Sequence, residues 1–376
     1  MRVLVLNPGS ATLKYRLIDL VGSTATPLAS GLVEHTSGDS IARAAETVLD
    51  RCAELGIQAV GCRIVHGGNR FEGPARVTPE VIAAIRDLGR LAPLHNPIAA
   101  SVLEGVLTRW PEVPLVAVFD TAFHRTIPEQ AALYALPLDL CRKYGWQRYG
   151  FHGTSHRYVS TRLLARLGRP ATGSRLISCH LGNGASICAI RDGQSVDTSM
   201  GLTPLAGLVM GTRSGDVDPG LIVQLLRELH LDADRLEQLL NQQSGLLGIG
   251  GHADMRDLQK AALAGDERAV LALSLFCYRI RHYIGAYAAV LHGVDALAFT
   301  GGIGENSAVV RQAVCQPLDW LGVRFDSQAN QSGTPGEVCL STADSAVQVW
   351  VIPTDEEGLI ARETVELLGG DVGRYS

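Results

Sequence analysis

Three short glycine-bearing turns, each following an apolar run, are the first segments of this chain that could do chemistry: Asn7-Pro8-Gly9-Ser10, Gly182-Asn183-Gly184-Ala185-Ser186 and Gly301-Gly302-Ile303-Gly304. Glycine lets backbone N–H groups approach a phosphate closely, and Asn or Ser adds side-chain donors. Any one of these turns can simply reverse the chain; the three together point to a polyphosphate site. Neither familiar nucleotide motif fits. Gly9-Ser10-Ala11-Thr12-Leu13-Lys14 lacks the second glycine of a P-loop, and Gly302-Ile303-Gly304 lacks the third Rossmann glycine, which argues against a P-loop ATPase or an NAD enzyme.

Charged groups stand in equally suggestive settings. Asp120 ends the apolar run Val116-Ala117-Val118-Phe119, where α/β enzymes place metal-binding or catalytic carboxylates, although an isolated Asp can also cap a strand. Arg63, in Gly61-Cys62-Arg63-Ile64-Val65-His66-Gly67-Gly68, and Arg213, in Met210-Gly211-Thr212-Arg213-Ser214-Gly215-Asp216, sit among small residues that leave room for an anion beside the guanidinium. A lone Arg elsewhere would read as a surface residue. His152 and His156 are four apart, but without the Glu of H-E-x-x-H a zinc site is disfavoured, and His152 reads better as a polar donor.

Such residues must be held by strands and helices, and the pattern supplies both. Val3–Leu6, the first turn and Leu13–Ile18 read as strand, turn, strand; Arg175–His180, the second turn and Ile187–Ile190 repeat that order, which suggests a duplicated nucleotide-binding unit. Thr78-Pro79-Glu80 caps a helix expected over residues 78 to 89, and further helices are expected over 155 to 167 and 267 to 292. The last leads into a buried strand at Val294–Thr300 and then the third glycine turn, an α/β layer. Gly22 to Ser40 reads as a surface loop with strand pieces, and Gly369 to Ser376 as a frayed tail.

Composition narrows the function class. At 376 residues, two domains are expected. Hydrophobic residues at 46% and charged residues at 19% suit well-buried cores, and a net charge of -5 with scattered Lys and Arg offers nucleic acid no basic field. The eight cysteines form no C-x-x-C pair and read as buried, reduced thiols. Arg2-Val3-Leu4-Val5-Leu6 is too short for a signal peptide, and no stretch of about 18 apolar residues suggests a membrane span, so a cytoplasmic protein is expected.

Five segments taken in order resemble the acetokinase family: Phe119-Asp120-Thr121-Ala122-Phe123-His124, Tyr149-Gly150-Phe151-His152-Gly153-Thr154-Ser155-His156, His180-Leu181-Gly182-Asn183-Gly184-Ala185-Ser186, Met210–Asp216 and Thr300-Gly301-Gly302-Ile303-Gly304-Glu305-Asn306. The resemblance covers nearly the whole chain. It implies the two-domain, duplicated α/β nucleotide-binding fold of the sugar kinase, heat-shock ATPase and actin superfamily, with residues 1–122 plus 356–376 in one domain and 123–355 in the other. The implied activity is reversible, Mg-ATP-dependent phosphorylation of acetate to acetyl phosphate by direct in-line transfer. The implied partners are ATP or ADP, acetate or another short-chain carboxylate, Mg²⁺ or Mn²⁺, and a second copy in a homodimer.

The same resemblance assigns residues. Asp120, His152 and Arg213 would be catalytic, and Asn7 and Glu356 would hold the metal ion, with Asp120 either helping them or, as the weaker reading, accepting a proton. Arg63 would hold the acid, with Val65, Leu94, Phe151 and Pro204 around its acyl group. The nucleotide would take Lys14, His180, Gly182, Asn183, Gly184, Asp254, Met255, Arg256, Gly301, Gly302, Ile303, Gly304 and Asn306. Because a carboxylic acid is already ionised at neutral pH, positioning and charge neutralisation suffice, without a strong base. Ala11, Ala99 and Ala206 depart from the family's usual residues, and the region of residues 36 to 50 is shorter than usual. Propionate kinase and a noncatalytic nucleotide-binding paralogue are the rival readings.

Overall fold

The computed structural model describes residues 1–9, 11–34 and 38–373; Ser10 of the first turn and the last three residues of the tail lie outside the described residues. The chain divides into two compact units, one of residues 1–125, 151–158 and 355–376, the other of 126–150 and 159–354.

Each unit is built on a six-stranded sheet. In the first, β1 (Arg2–Pro8), β2 (Thr12–Val21), β3 (Thr24–Glu34), β4 (Ala59–Ile64), β5 (Ala75–Arg76) and β6 (Leu115–Phe119) take the order β3-β2-β1-β4-β6-β5. In the second, β7 (Arg175–Leu181), β8 (Ala185–Arg191), β9 (Gln194–Thr198), β10 (Ala296–Thr300), β11 (Val338–Cys339) and β12 (Gln348–Val351) take the order β9-β8-β7-β10-β12-β11. The senses match as well as the order. An antiparallel meander leads into three parallel strands, β1, β4 and β6 in one sheet and β7, β10 and β12 in the other, and an antiparallel edge strand closes each. The duplication expected from the two strand-turn-strand motifs therefore extends over whole sheets.

The apolar runs are explained by burial on both faces. Side chains alternate across a strand, so Leu4 and Leu6 enter one core with Leu13, Leu17, Leu49 and Leu103, while Val3 and Val5 enter another with Ile18, Val116, Val118 and Ile360. Helices Gly38–Cys52 and Asn96–Arg109 cover the first face and helix Glu356–Leu367 the second. A sheet covered on both sides has no polar face, which is why β1 and β6 read as continuous hydrophobic stretches. Leu6 is wholly buried, and its truncation to Ala would cost roughly 2–5 kcal/mol.

Helix signals were well placed. Thr78 caps helix Pro79–Asp87 by accepting a hydrogen bond from Val81 N, and Asp266 caps Glu267–Leu291 through Arg268 N and Ala269 N. Three expectations need correction. Thr24–Glu34 is a full edge strand rather than loop with strand pieces. The third glycine turn coils into a short helix, Gly301–Asn306. The tail is docked at least to Val372, which is buried and whose carbonyl accepts a 3.0 Å hydrogen bond from Arg362 Nη1. No helix among the described residues is long and apolar enough to cross a membrane.

Candidate active site

The parallel strands of the first sheet end at one edge, and each delivers a polar side chain there. Asn7 lies near the end of β1, Arg63 near the end of β4, and Asp120 directly after β6, its backbone N–H bonded to Ile64 O at 2.9 Å. Strand ends are where the ladder stops and side chains become available to a ligand. Arg63 Nη2 donates to Asp120 Oδ2 at 2.8 Å and Nη1 to Asn7 Oδ1 at 3.3 Å. Among the described residues its buried Nε has no hydrogen-bond partner, and Glu356 Oε2 lies 4.0 Å from it.

The other half of this centre comes from two helix starts. His152 adopts the left-handed conformation, φ +56°, sparsely populated by non-glycine residues. That turn lets its backbone N–H donate to Asp120 Oδ2 at 2.9 Å. Gly153 then passes so near Asp120 that a Cβ would lie 2.2 Å from the carbonyl oxygen, so only glycine fits. Thr154 Oγ1 donates to Asp120 Oδ1 at 2.9 Å and reaches Glu356 Oε2 at 3.4 Å. Glu356 itself opens helix Glu356–Leu367, whose N-cap Asp355 accepts from Gly358 N.

Charge is divided unequally between the two carboxyls. Burial disfavours ionised Asp120, but Arg63, His152 and the donated hydrogen bonds outweigh it and hold its pKa well below the usual range. At Glu356, burial dominates and, with Asp120 and Glu357 adding repulsion against the pull of Arg63, pushes the pKa up to about 7. One guanidinium thus serves two carboxyls, and as pH falls Glu356 takes up a proton before Asp120 does.

The second unit holds a cavity of about 740 Å³, within the range of small-molecule sites. Gly182, Asn183, Asp254, Met255, Arg256, Gly302, Ile303 and Asn306 line it, all of them expected at the nucleotide, together with Ala253, Gln259 and Ser307. Asp254 caps helix Met255–Leu263 and also binds Arg256 Nη2 at 2.7 Å. Five expected residues do not line the cavity. Gly301 and Gly304 are turned into the fold, His180 and Gly184 belong to β7 and its following turn, and Lys14 stands opposite Asn7 on β2 in the first unit. The loop bearing Arg213 abuts this cavity's wall: Gly211 N donates to Asn183 O at 3.0 Å. Arg213 Nη1 donates to Pro204 O at 2.8 Å, the side chain's one hydrogen bond among the described residues, and burial lowers its pKa. Most of its five N–H donors are unspent.

Of the residues expected around the acyl group, three lie in the first unit: Val65 and Phe151 are buried and Leu94 is 62% exposed. The intervening His66 meets the Phe151 ring edge-on at 5.6 Å. Thr154, Gln259 and Ser307 do not stand out in the sequence. Thr154 stood two residues after His152, a spacing that carries a signal only once His152 and Asp120 are known to meet.

No three His, Cys, Asp or Glu side chains gather as a metal site among the described residues. Asn7 and Glu356 nevertheless fit a hard cation such as Mg²⁺, which keeps most of its waters and uses one or two protein oxygens with substrate phosphate.

The acetokinase family model matches residues 39–362. The acetate kinase of Clavibacter michiganensis is 48% identical over 98% of this chain and 99% of its own, and that of Coprothermobacter proteolyticus is 46% identical over 98% and 100%. Among solved structures, the acetate kinase of Porphyromonas gingivalis aligns with a TM-score of 0.91 at 41% identity, over 98% of this chain and 99% of that one. A propionate kinase from Francisella tularensis aligns at 0.87 and 38%, over 96% and 98%. Family match, identity and fold agree: the chain belongs to the acetokinase family, phosphotransferases whose acceptor is a carboxyl group.

Proposed function

We propose that this chain phosphorylates acetate from Mg-ATP, reversibly, to give acetyl phosphate and ADP by a single, direct in-line transfer. The observation carrying this reading is Arg63: a buried guanidinium, fixed by Asp120 and Asn7, whose Nε lacks an acceptor among the described residues. A carboxylate or phosphoryl oxygen would supply one.

In this mechanism Arg63 holds the acid's carboxylate, already ionised at neutral pH, so that an oxygen can attack the γ-phosphorus. Arg213, with donors unspent, neutralises charge on the equatorial oxygens, and His152 donates to one of them. Asp120 fixes Arg63 and the His152 backbone, and its depressed pKa makes it a poor proton acceptor. Asn7 and Glu356 would hold Mg²⁺, or Mn²⁺ in its place. The metal supplies neutralisation of phosphate charge when bound. The cavity lined by Asn183, Asp254 and Gly302 takes the nucleotide, and Val65, Leu94, Phe151 and Pro204 bound the acyl group. An extra methylene shifts binding by only about 1–3 kcal/mol, so propionate is the nearest competing substrate.

The proposed domain division is 1–122 with 356–376, and 123–355; the protein is proposed to work in the cytoplasm as a homodimer. Supporting the dimer are helices Pro219–Glu228 and Ala233–Gln242, amphipathic yet with no buried residue, and the exposed Leu221, Val223, Leu226 and Leu229 around them.

The test is Mg-ATP-dependent acyl phosphate formation, trapped with hydroxylamine, across formate, acetate, propionate and butyrate. A maximum at acetate is expected. A maximum at propionate would move the assignment to that kinase, and no product with any acid, despite ATP binding, would make the chain a noncatalytic paralogue.

A further inference from the structure

One carboxylate oxygen in the second unit is shared by three donors. Glu305 Oε1 accepts from Gly301 N at 2.9 Å, from Thr354 N at 3.2 Å and from Thr300 Oγ1 at 3.4 Å. The three donors lie at or just beyond the ends of two neighbouring parallel strands: Thr300 closes β10, Gly301 follows it, and Thr354 follows β12. β10 and β12 pair through Phe299 and Val351, Ile352 N reaches Phe299 O at 3.0 Å, and there the backbone ladder stops. Two amides past its end, those of Gly301 and Thr354, need an acceptor, and Glu305 supplies it.

The bond to Gly301 decides which amides face the cavity. Gly301 is in the left-handed region, φ +75°, with a Cβ position only 2.8 Å from Leu181 O, so it is pressed between β7 and Glu305. Its N–H is spent inward, and Gly301 is absent from the cavity wall while Gly302 and Ile303 form part of it. A Cβ at Gly302 would meet nothing within 4 Å, so this is the open side of the turn.

We propose that Glu305 is a positioning residue for the nucleotide. It holds Gly301 so that Gly302 and Ile303 present the cavity edge, and ties that edge to Thr354, two residues before Glu356. The inference rests on reading this cavity as the nucleotide site. A negative charge near a polyphosphate would otherwise be a liability; its use here is as an acceptor, which a glutamine oxygen can replace.

Three variants test this: Glu305→Ala, Glu305→Gln and Glu305→Asp, with ADP affinity measured by calorimetry and KM for ATP and acetate by kinetics. Glu305→Ala is expected to weaken ADP binding by about tenfold or more, the loss of one to two net hydrogen bonds. Its KM for ATP should rise in proportion, while that for acetate stays within about twofold. Glu305→Gln should restore ADP affinity to within about threefold, since only acceptor geometry is needed. Glu305→Asp keeps the charge but withdraws the oxygen by one methylene, so it should resemble Ala, and the Asp and Gln variants decide the matter if the Ala variant does not fold. Parent-like ADP affinity in both Ala and Asp variants, a Gln variant as weak as Ala, or equal losses for ATP and acetate would overturn the proposal. A parent that binds no ADP overturns the nucleotide reading and this inference with it; a parent that binds, with variants equal to it, overturns this inference alone.

Discussion

Replacing Arg63 with Met leaves Asp120 ionised, buried and without its counter-charge. The two side chains are 17% and 1% exposed and meet at 2.8 Å. At that separation a Coulomb attraction in an effective dielectric of 20 is about 6 kcal/mol. Removing one partner of such a buried pair typically costs about 3–5 kcal/mol once relaxation is allowed. We expect Arg63→Met to lose about that much stability at pH 7.5. The cost should shrink in the Asp120→Asn background, because the Asp120 charge is then no longer there to be stranded and only Glu356 still faces the lost guanidinium. The sign of the pH dependence follows. In the parent, the Asp120 pKa is depressed, so its contribution is present above the unfolded value near 3.9 and is lost as pH falls through the lower folded value. In Arg63→Met, burial acts without Arg63 and raises the pKa, so the penalty is greatest at neutral pH and relaxes on acidification. Urea unfolding of the parent, both single variants and the double variant, at pH 7.5 and 5, measures the coupling. A coupling below about 1 kcal/mol, or an Arg63→Met defect that grows on acidification, would refute the reasoning.

Glu356→Gln should stabilise the metal-free protein above pH 7 by up to about 3 kcal/mol. The parent must ionise a buried carboxyl whose pKa stands at about 7 rather than 4.5, whereas at pH 5 it is already protonated; unfolding in EDTA at both pH values checks this, and equal differences would contradict it. Arg213→Ala should lower kcat roughly 100- to 1000-fold, as loss of a transition-state donor does, with KM for ATP nearly unchanged; equal losses in both would make it a nucleotide or stability residue. Gly211→Ala would place a Cβ 1.9 Å from Asn183 Oδ1 and 2.9 Å from Ala253 O, so ADP affinity should fall by about tenfold or more; calorimetry showing parental affinity would separate that loop from the nucleotide site. Leu226→Glu with Leu229→Glu should turn the proposed dimer into monomers in sedimentation; a parent that is already monomeric would sink that part of the proposal.

The fold was legible where burial writes itself into residue type. β1, β4, β6, β7 and β10 are buried on both faces and largely apolar, and Asp120 and Arg63 stand out against such strands. Thr24–Glu34 was not legible, because an exposed edge strand carries no inward run; its pattern of half-buried and exposed residues resembles that of a loop. β5 and β11, two residues each, are too short to leave any pattern. At the site, Thr154 could not be singled out because its partner Glu356 lies 202 residues away, and a threonine hydroxyl near a helix start has many ordinary uses. Glu305 is not legible for a similar reason: its role shows only once its three donors are seen.

Direct transfer from ATP to the acid is the central claim, and the stereochemistry at phosphorus tests it. With ATP made chiral at the γ-phosphoryl by oxygen isotopes and acetate as acceptor, a single in-line displacement inverts the configuration, and inversion is expected here. Net retention would mean two displacements through a phosphorylated side chain, and would contradict an account in which Arg63, His152 and Arg213 only hold and neutralise the transferring group.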